Sequence, residues 1–96
     1  FNNTVLGMVR QWKKLFYGKR FSQTNLEKQT DFELLGQAVG INAFTIRTKA
    51  DVKPVLEKAI ALNGPVLINC LIDKDINVLP MVPAGASIAE PILEIK

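Results

Sequence analysis

The chain has 96 residues, 12 Lys and Arg against 9 Asp and Glu, and a formal charge of +3, which allows at most one domain. The absence of histidine excludes His-based nucleophilic triads and most zinc sites within these residues. A single cysteine, Cys70, excludes a disulfide framework and points to a reducing compartment. Basic residues are scattered, with Lys13-Lys14 and Lys19-Arg20 the only doublets, and no apolar run approaches the ~20 residues of a membrane span. Neither nucleic acid nor a membrane is an expected partner. A hydrophobic content of 48% is high for so short a chain, and part of that surface is expected to meet neighbours.

In chain order, Phe1 directly before Asn2-Asn3 reads as the end of a buried strand that starts upstream. Val5, Met8, Val9, Trp12, Leu15 and Phe16 recur at three- and four-residue steps. That spacing predicts an amphipathic helix with Arg10, Gln11, Lys13 and Lys14 on its solvent side and a left-handed stop at Gly18. Residues 19–29 are polar and read as a loop. Thr30 and Glu33 have capping-box spacing, opening a short helix through Ala38-Val39 that ends at Gly40. Ile41 to Ile46 alternates as a short strand. Thr48 to Asn63 reads as a second amphipathic helix with Val52, Val55, Leu56, Ala59 and Ile60 inward. Pro54 places the start of its regular part near Asp51, and Gly64 ends it.

Pro65 to Ile72 is a nearly unbroken apolar run, the signature of a buried parallel strand, with Cys70 as a small core residue. Strand, helix and strand make a right-handed βαβ crossover. From Asp73 onward Pro80, Pro83 and Gly85 predict irregular chain, with a short helical turn near Ser87–Leu93. The class is α/β, and two complete strands are too few to stand alone.

The chemistry lies near the start. An Asn pair alone reads as a polar turn or a helix N-cap. It also suits a cation. Mg²⁺ takes oxygen ligands in an octahedral shell, few of them from protein, and an Asn carbonyl or a backbone carbonyl at a turn is such a donor.

Asn2-Asn3, followed by Gly7-Met8-Val9-Arg10-Gln11-Trp12 and Leu15-Phe16-Tyr17, resembles the C-terminal end of the thiamine-diphosphate motif, whose other half is an upstream Gly-Asp-Gly. The version here resembles the catalytic subunit of the acetohydroxyacid (acetolactate) synthase family. Tyr17-Gly18-Lys19-Arg20-Phe21-Ser22 is close to that family's Tyr-x-x-Arg-Tyr-Ser. Asp31-Phe32, Gly40-Ile41, Gly64-Pro65-Val66-Leu67 and the run Asn77 to Ala86 continue the likeness over nearly the whole chain. Arg10-Gln11-Trp12 together with Val78-Leu79-Pro80-Met81-Val82-Pro83 is similar to the biosynthetic, FAD-containing branch and unlike the flavin-free, catabolic one.

The resemblance implies the C-terminal half of a three-layer, parallel-sheet thiamine-diphosphate-binding domain, a βαβ unit with preceding helices filling residues 1–96. It implies condensation of pyruvate with pyruvate or 2-ketobutyrate, through a hydroxyethyl carbanion on the cofactor and with loss of CO₂, at the first common step of branched-chain amino acid biosynthesis. Implied cofactors are thiamine diphosphate, Mg²⁺ and FAD, the last held mostly by other domains. Implied partners are further catalytic subunits, as homodimer or homotetramer, and a small regulatory subunit. The implied location is the bacterial or archaeal cytoplasm, or a plastid or mitochondrion in a eukaryote.

By the same resemblance Asn3 is the side-chain ligand of Mg²⁺, and Val5 lends its backbone carbonyl. Gly7 and Met8 lie beside the cofactor. Trp12 lines the substrate channel and the sulfonylurea- and imidazolinone-type herbicide site, and Ala84 matches a second herbicide-contact position. On periodicity alone Trp12 is the largest apolar group of a helix face, and Arg10 is either functional or a solvated charge. No catalytic residue is assigned, because in the family a Glu of the partner subunit activates the cofactor. The chain by itself is expected to be inactive. Two further readings remain at this stage: a non-catalytic truncated α/β module, and part of a related thiamine-diphosphate decarboxylase or oxidase.

Overall fold

The computed structural model describes residues 1–20 and 29–94. The expected loop at 19–29 and the Phe21-Ser22 part of the family match therefore fall largely outside the described residues. Among those described are five elements: α1 (Gly7–Phe16), α2 (Phe32–Ala38), β1 (Asn42–Ile46), α3 (Lys49–Ala61) and β2 (Val66–Cys70). They divide into two units, residues 1–4 with 29–73 and residues 5–20 with 74–94.

In the first unit β1 and β2 pair in parallel, Asn42 opposite Val66 through Ile46 opposite Cys70, with α3 as the crossover. A third segment joins the free edge of β2. Asn2 bridges to Leu71 in parallel, its amide donating to the Cys70 carbonyl at 2.8 Å and its carbonyl accepting from Ile72 at 3.0 Å. The Leu71 amide meanwhile donates to Ile46 on the opposite side at 2.9 Å. Thus β2 is flanked on both edges.

Side chains alternate between the two faces of a strand, so Ala43 and Leu67 share one face, and Phe44, Ile46 and Cys70 the other. α2 lies on the first face, where Gly36 comes so near that an added Cβ would stand 2.7 Å from the Ala43 Cβ. α3 lies on the second, with the Lys58 ammonium 5.1 Å from the centre of the Phe44 ring. The helix–sheet–helix order agrees with the three-layer α/β expectation.

Several details differ from the sequence reading. α2 is capped by Asp31, whose carboxylate accepts from the Leu34 amide at 3.0 Å, and Glu33 turns instead to the Thr45 hydroxyl. A carboxylate and a hydroxyl one residue apart both qualify as caps, and the stronger acceptor takes the position. α3 starts at Lys49, before Asp51, because Asp51 accepts from the amides of Thr48 at 3.0 Å and Arg47 at 3.2 Å. Those bonds tie down the first turn ahead of Pro54. The covered stripe of α3 is narrower than expected: Val55 and Ala59 are half-buried, whereas Val52, Leu56 and Ile60 are exposed, Ile60 at 79%. β2 is shorter than the apolar run, and its residues, Cys70 included, are half-buried.

In the second unit α1 ends as expected, with Gly18 at φ +59° and the Lys19 amide returning to the Lys13 carbonyl at 3.1 Å. The helix is nevertheless turned over. Met8, Val9, Trp12 and Phe16 are exposed, and the buried residue is Gln11. Its partners in the chain after β2 outweigh the local apolar pattern. That chain is irregular, with a turn at Ser87–Glu90 and an antiparallel bridge between Met81 and Ile92.

Gly36 supplies a test of the α2–sheet contact. In a helix interior Gly→Ala ordinarily gains about 1 kcal/mol, but overpacking costs typically about 1–3 kcal/mol. Because the new Cβ would meet another Cβ and not a flexible chain end, Gly36→Ala is expected to lower the urea midpoint of the folded protein. A raised midpoint would refute the close approach.

Candidate functional site

Parallel sheets place ligand sites beyond the carboxyl ends of their strands. That edge of the first unit carries Arg47 after β1, Leu71 after β2, and Asn2 to Thr4. As the ladder ends at Asn2, its side-chain oxygen accepts from the Thr4 amide at 3.0 Å, an Asx turn that bends the chain within two residues. Thr4 then adopts φ +61°. A β-branched residue rarely enters the left-handed region, and such strain costs about 1–3 kcal/mol and clusters at ligand sites. The Gln29 amide donates to the Thr4 carbonyl at 3.3 Å.

Beside this bend is a cavity of about 480 Å³ whose lining includes the polar residues Asn2, Asp31, Glu33, Thr45, Arg47 and Asn69. Thr45 and Asn69 are register partners and face it together. On the opposite face a second, apolar cavity of about 380 Å³ is lined by Phe1, Ile46, Val52, Leu56, Cys70 and Ile72.

Of the residues singled out by sequence, Asn3 lies in the first unit, within the bend. Val5, Gly7, Met8, Trp12 and Ala84 lie in the second. Val5 is buried, Gly7 and Met8 open α1, and Ala84 lies in a turn where the Ala86 amide donates to the Pro83 carbonyl at 3.0 Å. Trp12 is 38% exposed and packs against Phe16, ring centres 4.6 Å apart and planes at 55°. It is therefore not the buried knob that periodicity alone suggests. Among the described residues no three His, Cys, Asp or Glu side chains gather to hold a metal. The Asn side-chain and backbone carbonyl oxygens of the bend fit Mg²⁺ when the remaining ligands come from a diphosphate and water, while the nearby Asp31 and Glu33 carboxylates are engaged by the Leu34 amide and the Thr45 hydroxyl.

Two features escaped the sequence reading. Arg10 is an ion-pair residue: its Nε and Nη2 both donate to one oxygen of Asp75, at 3.0 and 2.8 Å. Gln11 is 4% exposed and pairs twice with the Val78 backbone. Both partners lie more than sixty residues away, beyond any local pattern. For Thr4 the only sequence signal was the preceding Asn pair.

The parallel sheet with helices on both faces and a polar bend at its carboxyl edge is that of an α/β domain with its ligand side at the strand ends. More specifically, the chain belongs to the family described as "Thiamine pyrophosphate enzyme, C-terminal TPP binding domain", which matches residues 1–70. It is similar to the acetolactate synthase large subunit of Pyropia yezoensis, 44% identical over 92 residues, covering 95% of this chain and 16% of that protein. The acetolactate synthase isozyme 2 large subunit of Escherichia coli (strain K12) is 43% identical over 89 residues, 93% of this chain and 16% of its own length. The acetolactate synthase of Mycobacterium leprae (strain TN) is 44% identical over 91 residues, 90% and 15% respectively. The chain thus spans about one sixth of the length of these relatives. Among the described residues no helix is long and apolar enough to cross a membrane.

The Arg10 guanidinium, bonded to Asp75, holds that carboxyl below its ordinary value of 3.8. A lowered folded value means that the pair stabilises the fold fully above the ordinary value and is lost as pH falls through the lowered one. The urea midpoint of the native chain is therefore expected to exceed that of Asp75→Asn at pH 6. The difference should shrink below about pH 4 and vanish on further acidification. A difference that persists undiminished in acid would show that the charge on Asp75 is not what matters.

Proposed function

We propose that residues 1–96 form the C-terminal portion of the thiamine-diphosphate-binding domain of an acetolactate synthase catalytic subunit of the biosynthetic, FAD-containing kind. The full-length enzyme would condense pyruvate with a second pyruvate or with 2-ketobutyrate and release CO₂. The observation that carries this reading is the Asn2–Thr4 bend at the carboxyl edge of a parallel sheet, leading directly into the Gly7-Met8-Val9-Arg10-Gln11-Trp12 helix. The 40–44% identity to acetolactate synthase large subunits supports it.

Thiamine diphosphate, when bound, supplies the carbon nucleophile and the electron sink for decarboxylation. The task of this chain is to bind and orient. Asn3 gives its side-chain oxygen, and Val5 its backbone carbonyl, to the Mg²⁺ that carries the diphosphate. The Asx turn at Asn2 and the left-handed Thr4 set the direction in which the chain at Asn3 leaves the sheet. Gly7 lets the backbone approach the cofactor, with Met8 beside it. The exposed Trp12 face of α1 forms a wall of the substrate channel and of the herbicide site, to which Ala84 contributes.

FAD is held mostly by other domains of the full-length subunit. That subunit assembles as a homodimer or homotetramer and takes a small regulatory subunit. Its place is the cytoplasm of a bacterium or archaeon, or a plastid or mitochondrion. The cofactor-activating Glu comes from a partner subunit, so the 96 residues alone are expected to form no acetolactate.

Two substitutions in the full-length enzyme test the roles. Asn3→Ala removes one of the few protein oxygens on the metal and is expected to raise the Mg²⁺ and thiamine diphosphate needed for half-activation at least tenfold, with little change in melting temperature. An unchanged activation curve would remove Asn3 from the ligand set.

Trp12→Leu is expected to leave pyruvate turnover largely intact, to cut the preference for 2-ketobutyrate about tenfold, and to confer resistance to sulfonylurea-type inhibitors. A channel wall is worth about 1–3 kcal/mol per methylene of substrate in an apolar pocket and gives aromatic inhibitors a stacking surface. A variant that melts early yet keeps normal preference and inhibition would make Trp12 a packing residue only.

A further inference from the structure

Among the described residues Gln11 is the buried polar side chain of the molecule, at 4% exposure. Its carboxamide works as a rung of a ladder: Nε2 donates to the Val78 carbonyl at 3.0 Å while Oε1 accepts from the Val78 amide at 2.7 Å. Nε2 also reaches the Met81 sulfur at 3.2 Å. The preceding residue, Arg10, grips Asp75 through two nitrogens. Two consecutive residues of α1 thus hold three points on the chain that follows β2, at 75, 78 and 81.

The held segment is also tied to Ile92, at Met81. It carries no helix or strand between residues 72 and 80. The side chains of Ile76 and Val78 are 74% and 62% exposed, so apolar packing does not anchor them. What is fixed at Val78 is the backbone, and a side chain on α1 fixes it. The next residue of that helix is Trp12, and the segment runs on to Ala84.

We infer that Gln11 is a positioning residue: it sets the segment around Val78 against α1 and so adjusts the wall that selects the second ketoacid and receives inhibitors. The inference rests on the proposed roles of Trp12 and Ala84. A neutral carboxamide can donate and accept at one peptide group in this way. Gln11→Met keeps length and bulk but makes neither bond. Gln11→Glu, when ionised, keeps the acceptor for the Val78 amide and loses the donor.

The experiment uses the full-length holoenzyme and reads three quantities. The first is hydrogen exchange over residues 75–84. The second is the ratio of acetohydroxybutyrate to acetolactate formed from mixed pyruvate and 2-ketobutyrate. The third is the thiamine diphosphate concentration for half-activation. Gln11→Met is expected to speed exchange over the segment at least tenfold and to shift the product ratio at least fivefold. Half-activation should stay within twofold of the native value, and Gln11→Glu should fall between the two enzymes. Faster exchange with an unchanged product ratio overturns the inference, as does a change confined to cofactor half-activation. Loss of the folded holoenzyme in both variants overturns it too, because Gln11 would then hold the fold and not selectivity. A native enzyme that forms neither product would instead sink the functional reading itself.

Discussion

The backbone of β2 is shared between two neighbours, and the first unit is arranged around that sharing. Leu71 gives its amide to Ile46, while Cys70 and Ile72 on either side of it take Asn2. Three segments are thereby brought to one level, and their carboxyl ends open together onto the cavity that Asn2, Thr45 and Asn69 line. The side-chain period of a strand is two, so a slip of one residue would turn every side chain to the opposite face. A slip of β2 would turn Asn69 to the apolar side and away from Thr45, and the Asx turn would start from the wrong rung. The bend that carries Asn3 therefore inherits its position from β2.

The α/β class and the five elements were legible because each depends on near neighbours in sequence. Alternation over Ile41 to Ile46, the apolar run from Pro65, and the stops at Gly18 and Gly64 are local signals. The inward face of α3 was not legible, since Val52, Val55, Leu56, Ala59 and Ile60 together cover more of the helix than one sheet can. The sheet chose the stripe of Val55 and Ala59, where small groups allow close approach, and left Val52 and Leu56 on the rim of the apolar cavity. α1 fails for a different reason. A glutamine between Arg10 and Trp12 reads as solvated, and only Val78, 67 residues on, makes burial its best state. An unpaired buried carboxamide would cost about 1–3 kcal/mol, and the double pairing removes that cost. For the candidate site, the Asn pair and the helix after it were visible in sequence. The left-handed Thr4 was not, because residue type argues against it there.

Among the described residues the fully buried apolar side chains are Val5, Ala43 and Ile46. Large apolar groups on α1, α2 and α3 face outward, and the apolar cavity at Phe1 is open on the sheet's second face. A surface of this kind marks contact with other protein or with ligands. It accords with a chain that spans 16% of the length of its relatives. Much of the hydrophobic content noted in the sequence thus lies on the surface, and the internal order of each unit leans more on backbone ladders, caps and the Gln11 and Arg10 bonds.

Arg10 and Gln11 stand side by side on α1 yet hold their partners by different physics. The Arg10–Asp75 pair joins full charges, with half of the Asp75 side chain open to water. Dissolved ions screen such charges over about 8–10 Å at physiological strength and over less at higher strength. Gln11 and Val78 carry no net charge, and their contact is sheltered from water, so salt leaves it essentially untouched. Of the described contacts between α1 and the chain after β2, the one at residue 75 responds to ionic strength and the one at residue 78 does not. Concentrated salt is therefore expected to weaken the contact at residue 75 more than the one at residue 78.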